Sequence, residues 1–198
     1  VKEIFRLQGA SELQEAEDRY LPKTGEQTKA IVLAASRGSA LGDLTANKPK
    51  AMVDIQGQPL LQHIITAYNG AGVKSIAVVR GYLADKIDLT AVSYVDNNDY
   101  ATTGELVSLD KALQANADIA GDLFVSFGDV LFKRHILDQL AEPKEDFVIA
   151  VDTNWQESGN RGRAADYVSC SEPYSRQVFN HRVLLTDAGE SLSDASIN

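Results

Sequence analysis

The sequence contains few of the residues that define several classes of protein. Its 198 residues include one cysteine, one methionine, one tryptophan and three histidines. A single cysteine excludes a disulfide framework and a cysteine-rich metal site, and it is typical of a reducing compartment, so we expect a cytoplasmic protein. No apolar run approaches the roughly 18 residues of a membrane-spanning helix. The sequence therefore predicts a protein that does not act in a membrane.

Positive charge is also scarce. The chain has 19 Lys and Arg residues against 28 Asp and Glu residues, which gives a net charge of −9. We expect no broad surface for nucleic acid or for an anionic membrane, although one pocket could still concentrate basic residues and bind a nucleoside triphosphate. The apolar fraction of 44% and the length are those of a globular chain with a sizeable core.

The most informative segment is residues 31–50, IVLAASRGSALGDLTANKPK. Its first five residues form an apolar run that predicts a buried strand, and a loop of small residues follows. Backbone N–H groups of such a loop can surround phosphate oxygens, and a lysine further along can add a fixed positive charge. The segment indicates a nucleotide that is bound through its phosphates.

Two other phosphate-binding loops do not fit this segment. The Walker pattern requires Lys and Ser/Thr directly after its second glycine, but Asp43 follows Gly42. The dinucleotide fingerprint requires three glycines in G-x-G-x-x-G, whereas this loop offers Gly38 and Gly42. A dinucleotide-dependent oxidoreductase is therefore disfavoured.

The loop resembles the signature of the nucleotidyltransferases, which move a nucleoside monophosphate from an NTP onto a phosphate or phosphonate. Their pattern runs roughly L-A-A-G-x-G-x-R-L-x-x-L-T-x-x-x-P-K. Ser36 replaces the usual glycine, and Ala40 replaces an arginine that contacts the outgoing phosphates in the family. Arg37 or Lys48 could take the place of that arginine. The positions that match in order and spacing are Leu33, Ala34, Ala35, Gly38, Leu41, Leu44, Thr45, Pro49 and Lys50.

A second resemblance covers residues 3–22, EIFRLQGASELQEAEDRYLP, which are similar to the C-terminal end of phosphoenolpyruvate mutases. We expect residues 1–28 to be the helical tail of a preceding mutase domain plus a linker, and residues 29–198 to be the nucleotidyltransferase domain. An ordinary amphipathic helix is the alternative for the tail. Because the family usually continues further, the domain is expected to be incomplete, and its exposed sheet edge would favour a homo-oligomer.

From residue 29 the chain alternates predicted strands and helices. This order implies an α/β fold in which a mostly parallel, mixed sheet carries helices on both faces, a three-layer Rossmann-like architecture. The resemblance makes it the nucleotide-diphospho-sugar transferase type. In the helix over 105–116, we expect Leu106, Leu109 and Leu113 to face the core. The main predicted strands are 31–35, 51–55, 75–79, 92–95, 123–127 and 147–151, and shorter ones are 167–170, 177–179 and 183–185.

Ligands of open α/β sheets bind beyond the carboxyl ends of the strands. The resemblance implies Lys50 as the catalytic cation, with Arg37 beside it, and Asp129 as the carboxylate that holds Mg²⁺. A solvated lysine and a turn-capping aspartate are the alternative interpretations. The predicted nucleotide-binding residues are Leu33, Ala34, Ala35, Ser36, Gly38, Ser39, Gly81, Thr103, Gly104 and Ser108.

The acceptor is expected near the end of the predicted strand 147–151. Asp152 and Trp155 follow that strand, and the next segment contains Arg161 and Arg163. A guanidinium group can bind a phosphonate or phosphate in bidentate fashion, although a solvated polar loop is an equal alternative.

These observations lead to one expected function and two alternatives. We expect a cytidylyltransferase that transfers CMP from CTP to a small phosphonate, 2-aminoethylphosphonate or hydroxymethylphosphonate, with Mg²⁺ and with release of pyrophosphate. The phosphonate follows from the mutase-like tail, and CTP follows from the resemblance. The alternatives are transfer to choline phosphate or a sugar 1-phosphate, and a non-catalytic nucleotide-binding domain, which Ala40 would favour.

Overall fold

A computed structural model describes residues 28–119, 121–157, 166–172 and 183–189. The helical tail predicted over 1–28 lies outside these residues except for Thr28, and so do Arg161, Arg163 and the strand predicted over 177–179. The chain divides into two compact units, residues 1–148 and 149–198. Within the described ranges, no helix is both long enough and apolar enough to cross a membrane.

The first unit alternates strands and helices, as the sequence predicts. In chain order its elements are β1 (Lys29–Ala34), β2 (Asp54–Ile55), β3 (Gln58–Pro59), α1 (Leu60–Gly70), β4 (Ser75–Arg80), β5 (Ser93–Asp96), α2 (Glu105–Ala115), β6 (Leu123–Phe127) and α3 (Arg134–Ala141).

Four of these strands form one parallel sheet in the order β5-β4-β1-β6. Strand β1 pairs in parallel with β4 on one side and with β6 on the other, and β4 pairs with β5. Because the strands run in the same direction, their carboxyl ends lie along one edge of the sheet. The loops that follow β1, β4, β5 and β6 therefore meet at that edge.

Helices cover both faces of this sheet because β1 is apolar on both sides. Val32 belongs to one buried cluster with Leu61 and Ile64 of α1 and with Leu137 of α3. Its neighbour Ile31 belongs to a second cluster with residues of β4 and α2. Successive side chains of a strand point to opposite faces, so the run from 31 to 35 supplies both cores. The predicted three-layer α/β fold is confirmed.

The first cluster contains the side chain of Tyr68, which is buried on α1. Its ring centroid lies 6.0 Å from that of Phe124 and 5.4 Å from that of Phe132. Burial raises the pKa of Tyr68 to about 12 because the charged phenolate would lose its hydration there. Tyr68 therefore stays neutral and acts as a packing residue.

Two predicted strands do not join the main sheet. The segment 51–55 begins as a 3-10 turn over Lys50–Met52, in which the Met52 N–H donates to the Pro49 carbonyl. Only Asp54–Ile55 forms a strand, and it pairs with β3. Residues 147–151 form no strand, and the Phe147 side chain is 77% exposed. An apolar run becomes a strand only where a neighbouring strand pairs with it, and neither segment has such a partner in the main sheet of the described residues.

The predicted core face of α2 is also partly wrong. Leu109 packs in the second cluster, but Leu106 is 81% exposed and Leu113 is exposed too. The buried positions of this helix are Ser108 and Ala112, whose spacing of four places them on one face. Small side chains there allow a close approach of the helix to the sheet.

The second unit, taken by itself, contains an antiparallel pair of strands, β7 (Tyr167–Cys170) and β8 (Leu185–Gly189). The rings of Trp155 and Tyr167 pack edge to face with centroids 5.2 Å apart. The short strand predicted over 167–170 is confirmed, whereas the one predicted over 183–185 begins later, at Leu185.

Candidate active site

An open cleft with about 580 Å³ of empty space lies at the carboxyl edge of the parallel sheet. The cleft collects residues from the ends of β1 and β6 and from the segment between β5 and α2. Its lining residues are Leu33, Ala34, Ala35, Ser36, Lys50, Ala51, Tyr100, Thr103, Gly104, Glu105, Ser108, Phe127, Gly128 and Asp129.

The loop after β1 brings Lys50 back to the cleft. Gly38 adopts a left-handed conformation with φ +69°, and a Cβ atom on it would lie 2.6 Å from Cδ of Lys50 and 2.7 Å from Cβ of Lys50. The absence of a side chain at Gly38 therefore lets the lysine stem cross directly over the loop. Lys50 itself begins a 3-10 turn after the buried Pro49.

Lys50 and Asp129 form an ion pair between Nζ and Oδ2. Asp129 lies just past β6, in a turn where the Gly128 N–H donates to the Leu33 carbonyl at 2.8 Å. The two side chains are 31% and 34% exposed, so they are partly hydrated. The carboxyl end of β6 thus places the predicted metal carboxylate beside the predicted catalytic lysine.

Thr45 closes the far side of the β1 loop. Its side chain is buried, and its Oγ1 lies 3.2 Å from the Gly38 carbonyl and 3.2 Å from the Gly42 carbonyl. A hydroxyl has one proton, so it is shared between the two acceptors. The matched threonine of the nucleotidyltransferase signature therefore holds the loop together from inside.

Replacing Thr45 with valine should lower the free energy of unfolding by about 1–2 kcal/mol, because the isosteric side chain keeps the packing but removes the donor. Urea denaturation would measure this change. Thr66→Val is the matched control, since the Thr66 hydroxyl donates to the Gln62 carbonyl on an exposed helix face. Equal losses in the two variants would contradict a special role for Thr45.

The segment after β4 fastens both ends of the same loop. The Tyr82 N–H donates to the Ala35 carbonyl at 2.9 Å, and the Tyr82 hydroxyl donates to the Ala46 carbonyl at 3.0 Å. A Cβ on Gly81 would lie 2.7 Å from the Ala35 carbonyl oxygen. The Arg37 guanidinium lies over the Tyr82 ring, 5.4 Å from its centroid, and outside the lining of the cleft.

A buried polar network forms the opposite side of the cleft. Asn97 follows β5 and is fully buried. Its Nδ2 donates to Thr103 Oγ1 at 3.1 Å and to Ser108 Oγ at 3.0 Å, while its Oδ1 accepts from the Asp99 N–H at 3.1 Å. Thr103 Oγ1 in turn donates to the Asp99 carbonyl at 2.9 Å.

Most of the predicted site residues come together in this cleft. Gly38 and Gly81 lie behind the lining, where they permit close contacts with Lys50 and Ala35. Ser39 is exposed at the start of a 3-10 turn. Asp152 and Trp155 belong to the second unit, in which Asp152 accepts from the Asn154 N–H. The predicted residues that line the cleft are Leu33, Ala34, Ala35, Ser36, Lys50, Thr103, Gly104, Ser108 and Asp129.

Residues of the cleft or of its support that were not predicted from the sequence include Asn97, Tyr100, Glu105 and Phe127. Of these, only Asn97 carried a usable signal, since it is a polar residue two positions past the strand predicted over 92–95. The other residues are placed by the turn at 98–104 and by β6 rather than by a local motif.

A divalent cation would find few side-chain ligands in this part of the molecule. No cluster of three or more His, Cys, Asp or Glu side chains suited to a metal occurs in the described parts of the chain. Asp129 nevertheless offers one hard carboxylate that faces the cleft, which is enough for Mg²⁺ when waters and substrate phosphates complete its shell. The residues present fit a magnesium ion that is held jointly with a nucleotide.

The fold and the cleft define a three-layer α/β domain with a cation and a carboxylate at the sheet edge. Residues 30–184 match the MobA-like NTP transferase domain family. The chain belongs to this family, which confirms the nucleotidyltransferase resemblance.

The most similar relatives include two cytidylyl-transferring proteins. The chain is 32% identical over 130 residues to CMP-5'-(3-aminopropyl)phosphonate synthase of Streptomyces rubellomurinus. The matched region covers 62% of this chain and 20% of that protein. It is 32% identical over 137 residues to CTP:phosphoglutamine cytidylyltransferase of Campylobacter jejuni. Here the matched region covers 64% of this chain and 53% of that protein. The chain thus spans about a fifth of one relative and about half of the other.

A solved structure shares the fold. The inositol-1-phosphate CTP transferase from T. maritima superposes with a TM-score of 0.50 at 26% identity, covering 62% of this chain and 51% of that one.

Proposed function

We propose that this chain contains the nucleotide-binding and catalytic part of a magnesium-dependent cytidylyltransferase, which transfers CMP from CTP to a small phosphonate. The observation that carries the proposal is the pairing of Lys50 with Asp129 in a cleft beside the small-residue loop of β1. Family membership supports nucleotidyl transfer. The relative that makes a CMP-phosphonate supports both CTP and a phosphonate acceptor.

In the proposed reaction an acceptor oxygen attacks the α-phosphorus of CTP. A new P–O bond forms as the bond to the β-phosphate oxygen breaks, and its electron pair leaves with pyrophosphate. The Lys50 ammonium, once released from Asp129, stabilises the negative charge that grows on the α-phosphate oxygens. The backbone of the β1 loop holds the outgoing phosphates, and no covalent enzyme intermediate is required.

Asp129 is the residue that would hold magnesium in this proposal. Bound magnesium neutralises phosphate charge and polarises the phosphoryl oxygens. Lys50 and Asp129 neutralise each other in the protein without ligand. When nucleotide and metal bind, this ion pair is replaced by two others, Lys50 with phosphate and Asp129 with magnesium. In this way the cleft keeps its charges paired both before and after the ligand binds.

The acceptor side of the proposal rests on the second unit and on the mutase-like tail. Asp152 and Trp155, together with Arg161 and Arg163, are the proposed acceptor-binding residues. A cytoplasmic homo-oligomer whose parent chain carries a mutase domain would supply the phosphonate close to its point of use. Choline phosphate, a sugar 1-phosphate or a phosphorylated amino acid derivative is the alternative acceptor.

A pyrophosphate-release assay tests the proposed function. We expect turnover with CTP and Mg²⁺ in the presence of 2-aminoethylphosphonate or hydroxymethylphosphonate, and much less with ATP, GTP or UTP. Choline phosphate and glucose 1-phosphate complete the acceptor panel. Because the chain spans part of its relatives, the assay is run on this chain and on a longer parent chain.

The results of this assay distinguish the proposed function from its alternatives. Release with glucose 1-phosphate alone would retain the enzyme class and reject the phosphonate. CTP binding without release by either chain would favour a non-catalytic nucleotide-binding domain. That alternative has one specific observation behind it: Ala40, in the position of the family's arginine, is exposed, and its methyl side chain cannot hold a phosphate.

A further inference from the structure

We infer that Asn97 is a positioning residue that fixes Ser108 as a hydrogen-bond donor, and Thr103 as an acceptor, toward the nucleoside part of the NTP. The inference rests on the proposed function, because it takes the cleft as the nucleotide site. It adds a role for a residue that touches no ligand and does not line the cleft.

The orientation of the Asn97 amide follows from one backbone contact. The Asp99 N–H can only donate, so the Asn97 atom 3.1 Å away must be the carbonyl oxygen. The other end is then the NH₂ group, whose two protons point to Thr103 and Ser108. Both hydroxyl oxygens therefore accept a hydrogen bond from the Asn97 NH₂ group.

The two hydroxyls differ in what they can still offer. Thr103 Oγ1 has given its proton to the Asp99 carbonyl at 2.9 Å, so it has only a lone pair left for a ligand. Ser108 Oγ also accepts from Asn97, yet across the described residues it donates to no acceptor. Its proton is the one uncommitted donor of this network. Since Ser108 lines the cleft, that proton is available to a ligand there.

The position of the network in the sheet identifies the part of the ligand that it meets. Asn97 follows β5, on one side of β1, whereas Asp129 follows β6, on the other side. The charged pair of Lys50 and Asp129 suits the phosphates, so the neutral hydroxyls on the far side of the β1 loop suit the base and ribose. The expected partner of Ser108 is an acceptor oxygen of the nucleoside.

The test measures CTP binding by calorimetry on Ser108→Ala, on Asn97→Asp and on the double variant. Removing one hydrogen bond should weaken binding about tenfold in Ser108→Ala. In Asn97→Asp, a carboxylate oxygen replaces the NH₂ group and accepts the Ser108 proton, which turns the donor away from the cleft. We expect this variant to bind as weakly as Ser108→Ala, and the double variant to bind no more weakly than either.

A matched control and a second readout separate positioning from a general structural effect. Asn116→Asp makes the same change at the other end of α2, where Asn116 donates to the Ala112 carbonyl, and it should leave CTP binding unchanged. Where turnover is measured, Ser108→Ala should raise KM and leave kcat unchanged. With 2'-deoxy-CTP, a lost Ser108→Ala effect identifies the ribose 2'-hydroxyl as the partner, and an unchanged effect identifies another oxygen of the nucleoside.

Additive losses in the double variant would overturn the inference, and so would Ser108→Ala binding CTP as tightly as the unaltered chain. If Asn97→Asp does not fold, the Ser108→Ala result and its KM-to-kcat split still decide the donor role. Binding can be measured without any acceptor, so the inference can fail while turnover persists, and it can succeed in a chain that shows no turnover.

Discussion

Replacing Lys50 with methionine is expected to lower kcat for nucleotidyl transfer by a factor of about 10²–10³. Methionine keeps an unbranched stem that can still lie across Gly38, but it removes the ammonium group. The electrostatic interaction of the Lys50 ammonium with the α-phosphate is stronger in the transition state than in bound CTP, because the α-phosphate gains negative charge during attack. The loss should therefore be in kcat more than in KM.

The expected stability of the Lys50→Met variant makes this result interpretable. Lys50 and Asp129 are each about one-third exposed, so water and salt screen their ion pair and its removal costs little folding free energy. Thermal unfolding should confirm a folded variant. Lys74→Met is the matched control, because Lys74 donates to the Asn69 carbonyl at the amino end of β4, away from the cleft. Full activity in Lys50→Met would reject the catalytic role.

Replacing Gly38 with alanine is the second change with a large expected effect. The new Cβ would lie 2.6 Å from Cδ of Lys50 and would also occupy a left-handed conformation. The conformation alone costs about 1–2 kcal/mol. The contact forces the lysine stem away from the loop, so we expect kcat to fall by about 10-fold or more while the fold is retained.

Gly57→Ala separates the two causes. Gly57 has a φ of +86°, so it has the same type of backbone strain, but a Cβ there meets no atom within 4 Å. Both variants should lose stability in urea denaturation, and only Gly38→Ala should lose kcat. If Gly57→Ala lost kcat to the same extent, backbone strain rather than displacement of Lys50 would explain the result.

Two predicted strands that do not join the main sheet show that the local sequence does not carry the information on strand pairing. The runs at 51–55 and 147–151 are apolar and short, like the strands that were predicted correctly. What distinguishes them is that neither has a pairing partner in the main sheet of the described residues, and pairing in that sheet is decided by segments that lie far away in the chain. The same reason applies to α2, where close packing on the sheet selected Ser108 and Ala112 over Leu106.

The candidate site shows the same division. The loop after β1 could be recognised from the sequence because its glycines, its threonine and its Pro-Lys pair act on a single continuous segment. Lys50 and Asp129 are 79 residues apart, and only the parallel pairing of β1 with β6 brings them together. The sequence indicated only that Asn97 is a polar residue near a strand end, because its role depends on Thr103 and Ser108 folding around it.

The amino-acid sequence by itself therefore determined the class of fold, the candidate phosphate-binding loop and the identity of Lys50 and Asp129 as candidates, since each depends on local pattern and chain order. The tertiary structure alone decided that these two residues pair, that Arg37 lies over Tyr82 instead of in the cleft, and that a buried asparagine orients two hydroxyls. The physical reason is that hydrogen bonds and ion pairs act over about 3 Å, so their partners are set by packing and not by distance along the chain.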